Sequence, residues 1–309
     1  MVETVTGVAD LLGLHAPGME LFQYSASHLR ELYGAAYEAD AIFIVQKLGE
    51  FARLYGETPP AALAIYRRWI EQAQAERLRG AGPRALPADA DFRRHYLYAL
   101  TLSTVLNRSR YELLRHYRRA VETHLPKGAT ILEIGTGNCL DAAIASRRGP
   151  VSAYERNELS LVWLRLLDLA GRVDLRLEDY GFAEPRRFDF VAMIELLEHV
   201  ADPAAYLQGA SRVLRDDGLA YLTFAVRMPQ FDHLTDFGSI QECRDLLAGN
   251  GFAVREEQCL VDTYLPFAEE DRWRLGDDPR HAVVYCCLAH KDRGPESAAA
   301  LQQFNGEIE

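Results

Sequence analysis

Ile131-Leu-Glu-Ile-Gly135-Thr-Gly137-Asn-Cys-Leu140 is the stretch on which the reading of this 309-residue chain turns. A short apolar run enters two glycines and a helical pattern starts at once. Glycine allows positive φ and brings the backbone close to a ligand, because no Cβ intervenes. Free N–H groups there and at the helix start can hold an anionic or polar group. Outward from this point, short apolar runs alternate with amphipathic segments. Strands are expected at Ala129–Ile134, Val151–Glu155, Val173–Leu177, Phe188–Ile194 and Gly218–Val226. Helices are expected between them near Leu140–Arg147, Glu158–Ala170 and Pro203–Leu214. Such alternation builds right-handed β-α-β units and a parallel sheet covered on both faces. A helix near Ser239–Asn250 and two strands, Phe252–Val261 and His281–His290, follow. With no helix between them, these two strands are expected as an antiparallel pair at the sheet edge.

Upstream of Pro126 the pattern is helical. Apolar residues recur at three- and four-residue spacing in Met19–Tyr33 and Ala35–Tyr55. Thr58-Pro59 is a helix start, the hydroxyl capping free N–H groups where proline has none. That helix runs to about Arg79, and Gly80, Gly82 and Pro83 break it. Helices at Asp89–Leu106 and Ser109–His124, hinged at Asn107, complete this half. The fold expected is α/β: a Rossmann-like, seven-stranded, mostly parallel sheet with an antiparallel edge strand, plus an N-terminal all-helical domain. The division is 1–125, 126–291 and a loose tail over 292–309.

Composition narrows the class. No apolar run is long enough for a bilayer, and Met1–Leu12 lacks the basic start of a secretory signal, so a cytoplasmic protein with no membrane partner is expected. A net charge of -11 opposes binding to nucleic acid, and the arginines of Arg108–Arg119 read as the solvated face of a helix whose apolar stripe is Leu113, Leu114 and Tyr117. Cys139, Cys243, Cys259, Cys286 and Cys287 show no metal-binding spacing and are expected as reduced thiols.

Two features select a ligand. A dinucleotide fingerprint needs a third glycine three residues after the second, and Leu140 stands there. The next strand ends in Glu155, placed to accept hydrogen bonds from ribose hydroxyls. The third strand ends Glu178-Asp179-Tyr180. The fourth reads Phe188-Asp-Phe-Val-Ala-Met-Ile-Glu195-Leu-Leu-Glu198-His199-Val200-Ala-Asp202-Pro203, and Arg212-Val-Leu-Arg-Asp-Asp-Gly218 leads to the fifth.

In this order the motifs resemble class I S-adenosylmethionine-dependent methyltransferases, especially small-molecule enzymes like those of ubiquinone and menaquinone biosynthesis. The resemblance covers about half the chain. The family's first motif, E/D-x-G-x-G-x-G, is met at Glu133, Gly135 and Gly137, while Cys139 replaces the last glycine. It implies S-adenosyl-L-methionine as cofactor. Glu133 would orient the glycine loop and the cofactor's amino group, and Glu155 would hold the ribose. Asp179 would accept from the adenine amino group, with the Tyr180 N–H against the ring; Glu178 is the alternative one residue earlier. Thr136, Arg156, Ile194 and Glu195 complete the expected cofactor-binding set.

Methyl transfer from a sulfonium needs alignment and, for some acceptors, removal of a proton. The base candidates are His199, His233 and Glu195. No metal is expected, since Asp232, His233 and Asp236 show no ligand spacing. Nine of the fifteen tyrosines precede Pro126, and most are expected as packing. Tyr24, Arg110, Tyr111, Phe231 and His233 are the substrate-contact candidates. The N-terminal helices are expected either to cover the sheet's carboxyl edge as a lid or to form a homodimer interface. The function expected is methylation of a small molecule at O, N or C. The alternative is a catalytically silent binding or scaffold protein of the same fold.

Overall fold

The computed structural model describes residues 8–12, 20–78, 89–182, 187–262 and 268–292. The expected tail beyond Asp292 and the break at Gly80–Pro83 lie outside them. Helices α1 (Val8–Leu11), α2 (Glu20–Leu54), α3 (Pro59–Leu78), α4 (Ala90–Leu106) and α5 (Arg108–His124) precede the first strand. Helix α2 joins the two expected helices across a kink at Gly34, whose φ of 54° a residue with Cβ rarely adopts. Asn107 is the expected hinge: it ends α4 and caps α5, its side-chain oxygen accepting from the Ser109 N–H at 2.9 Å.

The second half runs β1 (Ile131–Ile134), α6 (Leu140–Ala145), β2 (Val151–Tyr154), α7 (Ser160–Leu166), β3 (Val173–Arg176), β4 (Phe188–Met193), a 3-10 turn (Leu197–His199), α8 (Pro203–Val213), β5 (Leu214–Val226), α9 (Ile240–Gly249), β6 (Phe252–Val261), α10 (Arg272–Asp277) and β7 (Val283–Lys291). Asp202 caps α8 by accepting from the Ala205 N–H at 3.0 Å, with Pro203 in the first turn. The seven strands lie in the order β3-β2-β1-β4-β5-β7-β6. All neighbours from β3 to β5 are parallel. Strands β6 and β7 form the expected antiparallel pair at one edge, with β7 inserted beside β5.

Three details differ from the sequence reading. Strand β5 starts at Leu214 rather than Gly218, because Leu214 pairs with Phe188 ahead of a bulge at which Arg215 meets Asp189 at 2.9 Å. Helices α6 and α7 are shorter than their apolar periodicity suggested. Helix α10 and the 3-10 turn carried no recognised signal.

Alternation along the strands separates two cores. Leu132, Ile134, Val191, Met193 and Leu222 face α8 and α9. Ile131, Val151, Phe190 and Tyr221 face the other way, into a cluster continuous with α2, α4, α5, α6 and α7. Tyr117 of α5 packs on Tyr221 at 5.0 Å between ring centres, and Phe51 of α2 stacks on Trp163 of α7 at 5.2 Å. The N-terminal helices thus cover one face of the sheet, and α4 and α5 reach over the carboxyl ends of its strands. Among the described residues no helix is long and apolar enough to cross a membrane.

Candidate functional site

Strand order reverses between β1 and β4, and ligands of open α/β sheets bind in the crevice outside such a switch point. A cavity of about 480 Å³ lies there, between the loops after β1, β2, β3, β4 and β5 and the undersides of α4 and α5.

The glycine loop forms its floor. Gly135 (φ 79°) and Gly137 (φ 50°) adopt left-handed backbone, and a Cβ on either would come within 3.2 Å of Leu196 or Leu100. Cys139, standing where the resembled motif has glycine, is also left-handed at φ 58° and fully buried. Burial pushes its thiol far above the ordinary range. Beneath the loop, Glu133 is buried and accepts from the Thr136 hydroxyl, while its second oxygen meets no donor among the described residues. Burial first, then Asp141, pushes the Glu133 carboxyl up to about 8.

Glu155 ties two loops together. It accepts from the Gly137 N–H at 2.8 Å and, through its other oxygen, from the Arg156 and Asn157 N–H groups at 2.7 and 3.0 Å. Asp179 pairs with Arg156 at 3.0 Å on the exposed rim, beside Tyr206. Tyr180 packs its ring between Tyr154 and Phe182 and does not line the cavity.

The opposite end is crowded with ionisable groups. Ile194 and Glu195 follow β4, and Glu195 has a left-handed φ of 51° in a non-glycine residue, its N–H donating to Thr223 Oγ1 at 2.7 Å. Such strain persists where the surroundings hold it, and it clusters at functional sites. Glu195 Oε2 pairs with Arg110 from the first turn of α5. Burial works against the Arg110 charge, but Glu195, Asp262 and Glu198 more than offset it and raise its pKa. Burial and Glu195 push the Asp141 carboxyl up to about 7, with Arg110 opposing. Burial and Glu195 also raise Glu198, which is wholly buried with neither oxygen meeting a donor among the described residues, to about 7.

His199 Nδ1 lies 3.0 Å from the Asp232 carbonyl oxygen, an arrangement that requires an Nδ1–H and leaves Nε2 as the variable atom. Burial lowers the tendency of this ring to charge, but Glu198 and Asp232 outweigh it and lift its pKa above the ordinary value. The His233 ring meets it edge-on at 4.9 Å.

The fold therefore brings Gly135, Thr136, Gly137, Glu155, Arg156, Asp179, Ile194, Glu195, Arg110, His199 and His233 to one cavity. Phe231 stands one layer back, edge-on to Phe92 in the wall. Tyr24 and Tyr111 are corrections to the substrate-contact set. Tyr24 is 45% exposed and stacks on His28. Tyr111 is fully buried among the helices, its hydroxyl donating to Asp40 at 3.1 Å and its ring against Tyr33 and Tyr37. Sequence reasoning missed Tyr96, Asp141 and Asp232 as lining residues. The signal available for Asp141 was an acid in the first turn after the glycine loop; Tyr96 looked like any tyrosine at core spacing.

Residues 106–257, just under half of the chain, match the family model described as a methyltransferase domain. The chain is similar to a ubiquinone biosynthesis O-methyltransferase of Neisseria meningitidis, 31% identical over 34% of this chain and 47% of the relative. It is also similar to the protein of that description from Thiobacillus denitrificans, 34% identical over 34% of this chain and 48% of the relative. The chain thus spans about half the length of these curated relatives. Among solved structures it is similar to the Burkholderia thailandensis 1,6-didemethyltoxoflavin-N1-methyltransferase, at 20% identity and a TM-score of 0.44, covering 58% of this chain and 78% of that one.

Proposed function

We propose that this protein transfers the methyl group of S-adenosylmethionine to a small-molecule acceptor. The observation that carries the reading is one cavity with a glycine-and-carboxylate end and an ionisable end beneath α4 and α5. The first end suits the cofactor: a Cβ on Gly135 or Gly137 would fill the cradle, and Glu133 keeps a buried oxygen with no donor. Bound there, S-adenosylmethionine supplies an electrophilic methyl carbon.

This chain's residues then hold and align. Glu155 accepts from the ribose hydroxyls, Asp179 meets the adenine, and Glu133 steadies the loop and the amino group. Thr136 and Arg156 complete that end, and Ile194 and Glu195 stand where the two ends meet. At the other end, His199, His233 and Glu195 are placed to take a proton from the acceptor, and Arg110 to contact it. Helices α4 and α5 exclude water from the reacting end, the role of a lid. Five buried free thiols suit a reducing, cytoplasmic setting.

Titration calorimetry with S-adenosylhomocysteine tests the cofactor half: binding is expected at one site per chain, and its absence overturns the reading. Binding without methyl transfer to any of a broad panel of phenols, amines and activated carbons would favour the silent binding protein instead.

A further inference from the structure

Among the described residues, the ionisable end of the cavity holds acceptors with nothing to accept. Asp232 is 3% exposed, lies in the cavity wall, and neither carboxyl oxygen meets a hydrogen-bond donor. The His199 Nδ1 is 3.5 Å from its Oδ2 but closer, at 3.0 Å, to the main-chain carbonyl of the same residue. Glu195 adds a second orphan: Oε2 pairs with Arg110 while Oε1 has no donor. Glu198 stands close behind, with two more unpartnered oxygens. Buried carboxyl oxygens are ordinarily hydrogen-bonded, and a set left open in a cavity marks what an occupant must supply.

The cations of the wall are already engaged. Arg110 pairs with Glu195, Arg93 with Glu158 at 2.6 Å, and Arg156 with Asp179 at 3.0 Å. Of the two imidazoles at this end, His199 sits between two carboxyl groups, Glu198 and Asp232, with the His233 ring edge-on to it. An anionic occupant would meet like charge with no free guanidinium among the described lining residues to answer it. Leu113, Leu114 and Leu234 line the remaining wall and suit an apolar body.

We infer that the acceptor has an apolar body and an end that bears hydrogen-bond donors and no negative charge, recognised by Asp232 and Glu195. This rests on the methyl-transfer reading of the cavity and names the substrate class it takes. The donors can be those of an ammonium or of neutral hydroxyls, and the two are separated by experiment.

Three probes share one skeleton and differ only in the head: tyramine (ammonium), tyrosol (hydroxyl) and 4-hydroxyphenylacetate (carboxylate). Each is titrated calorimetrically into the full chain saturated with S-adenosylhomocysteine, with EDTA present. Tyramine and tyrosol are expected to bind, and 4-hydroxyphenylacetate at least about tenfold more weakly. A preference for tyramine over tyrosol shows that charge is read; equality shows that hydrogen bonding suffices. Asp232→Asn narrows or inverts the discrimination, and Glu195→Gln does the same if the first variant does not fold. Equal binding of the carboxylate probe, no binding of any probe, or unchanged discrimination in the folded variant overturns the inference. So does binding that appears only when EDTA is replaced by a divalent cation. Glu198, His199 and His233 offer ligand atoms within 4.8 Å of one another, and a metal there would then be the missing partner. Failure to bind S-adenosylhomocysteine at the outset sinks the methyl-transfer reading instead.

Discussion

Replacing Glu198 by glutamine keeps shape and removes one buried ionisation. In the folded protein this carboxyl is fully enclosed, meets no donor and lies near Glu195, which together lift it from an ordinary 4.5 to about 7. Between those two values the folded chain binds more protons than the unfolded chain, so stability falls as pH rises through that window. Each tenfold change in an acid constant is worth about 1.4 kcal/mol, so at pH 8, with both states ionised, Glu198 costs about 3 kcal/mol. At pH 5.5 the folded carboxyl keeps its proton while the unfolded one has mostly lost it, and the cost is about 1 kcal/mol. Glu198→Gln should therefore stabilise the protein by about 2 kcal/mol more at pH 8 than at pH 5.5. Urea unfolding of both proteins at the two pH values measures this directly, as the difference between variant and wild type at each. That comparison cancels the parallel contributions of Glu133 and Asp141, raised to about 8 and about 7 by burial. The His199 ring, which Glu198 helps to hold protonated, should also titrate closer to its ordinary value by NMR. A variant whose stability change is the same at both pH values would refute the reasoning, because it would mean that Glu198 ionises without penalty.

Glu155→Ala removes a carboxylate that organises two loops and is assigned to the ribose; it should weaken S-adenosylhomocysteine binding by about ten- to a hundredfold, the worth of charged hydrogen bonds, as read by calorimetry. Gly149→Ala places a Cβ 2.0 Å from the Ala129 carbonyl oxygen at the head of β1 and should cost about 3 kcal/mol or more in urea unfolding. Its control, Gly249→Ala at the end of α9, meets nothing within 4 Å and should be neutral or slightly stabilising. His199→Ala and His233→Ala should each be followed by single-turnover methyl transfer; loss of rate by about a hundredfold in one identifies the base, and normal rates in both remove both.

Much of the architecture was legible because it is written in local periodicity. The pair Ile131 and Leu132 faces opposite cores, as a period of two requires, and Gly34, Asn107 and Asp202-Pro203 act where their backbone chemistry places them. Glu155 was legible because a strand of four residues leaves little doubt where it ends. Tyr111 was not: its spacing marks a buried face of α5 without saying against what, and its hydroxyl partner Asp40 is 71 residues away. Asp232 was hidden in the same way, since a loop acid looks solvated until the helices that cover it are in place.

The strand positions, the glycine loop, the acids that follow β2 and β3 and the helical start of the chain were determined by sequence alone, because each depends on backbone preference and spacing within a few residues. Only the tertiary structure decided that Arg110, Asp141, Glu195, Glu198, His199 and Asp232 share one space. Charges interact through distance and through the dielectric around them, and neither quantity exists until α4 and α5 pack over the sheet.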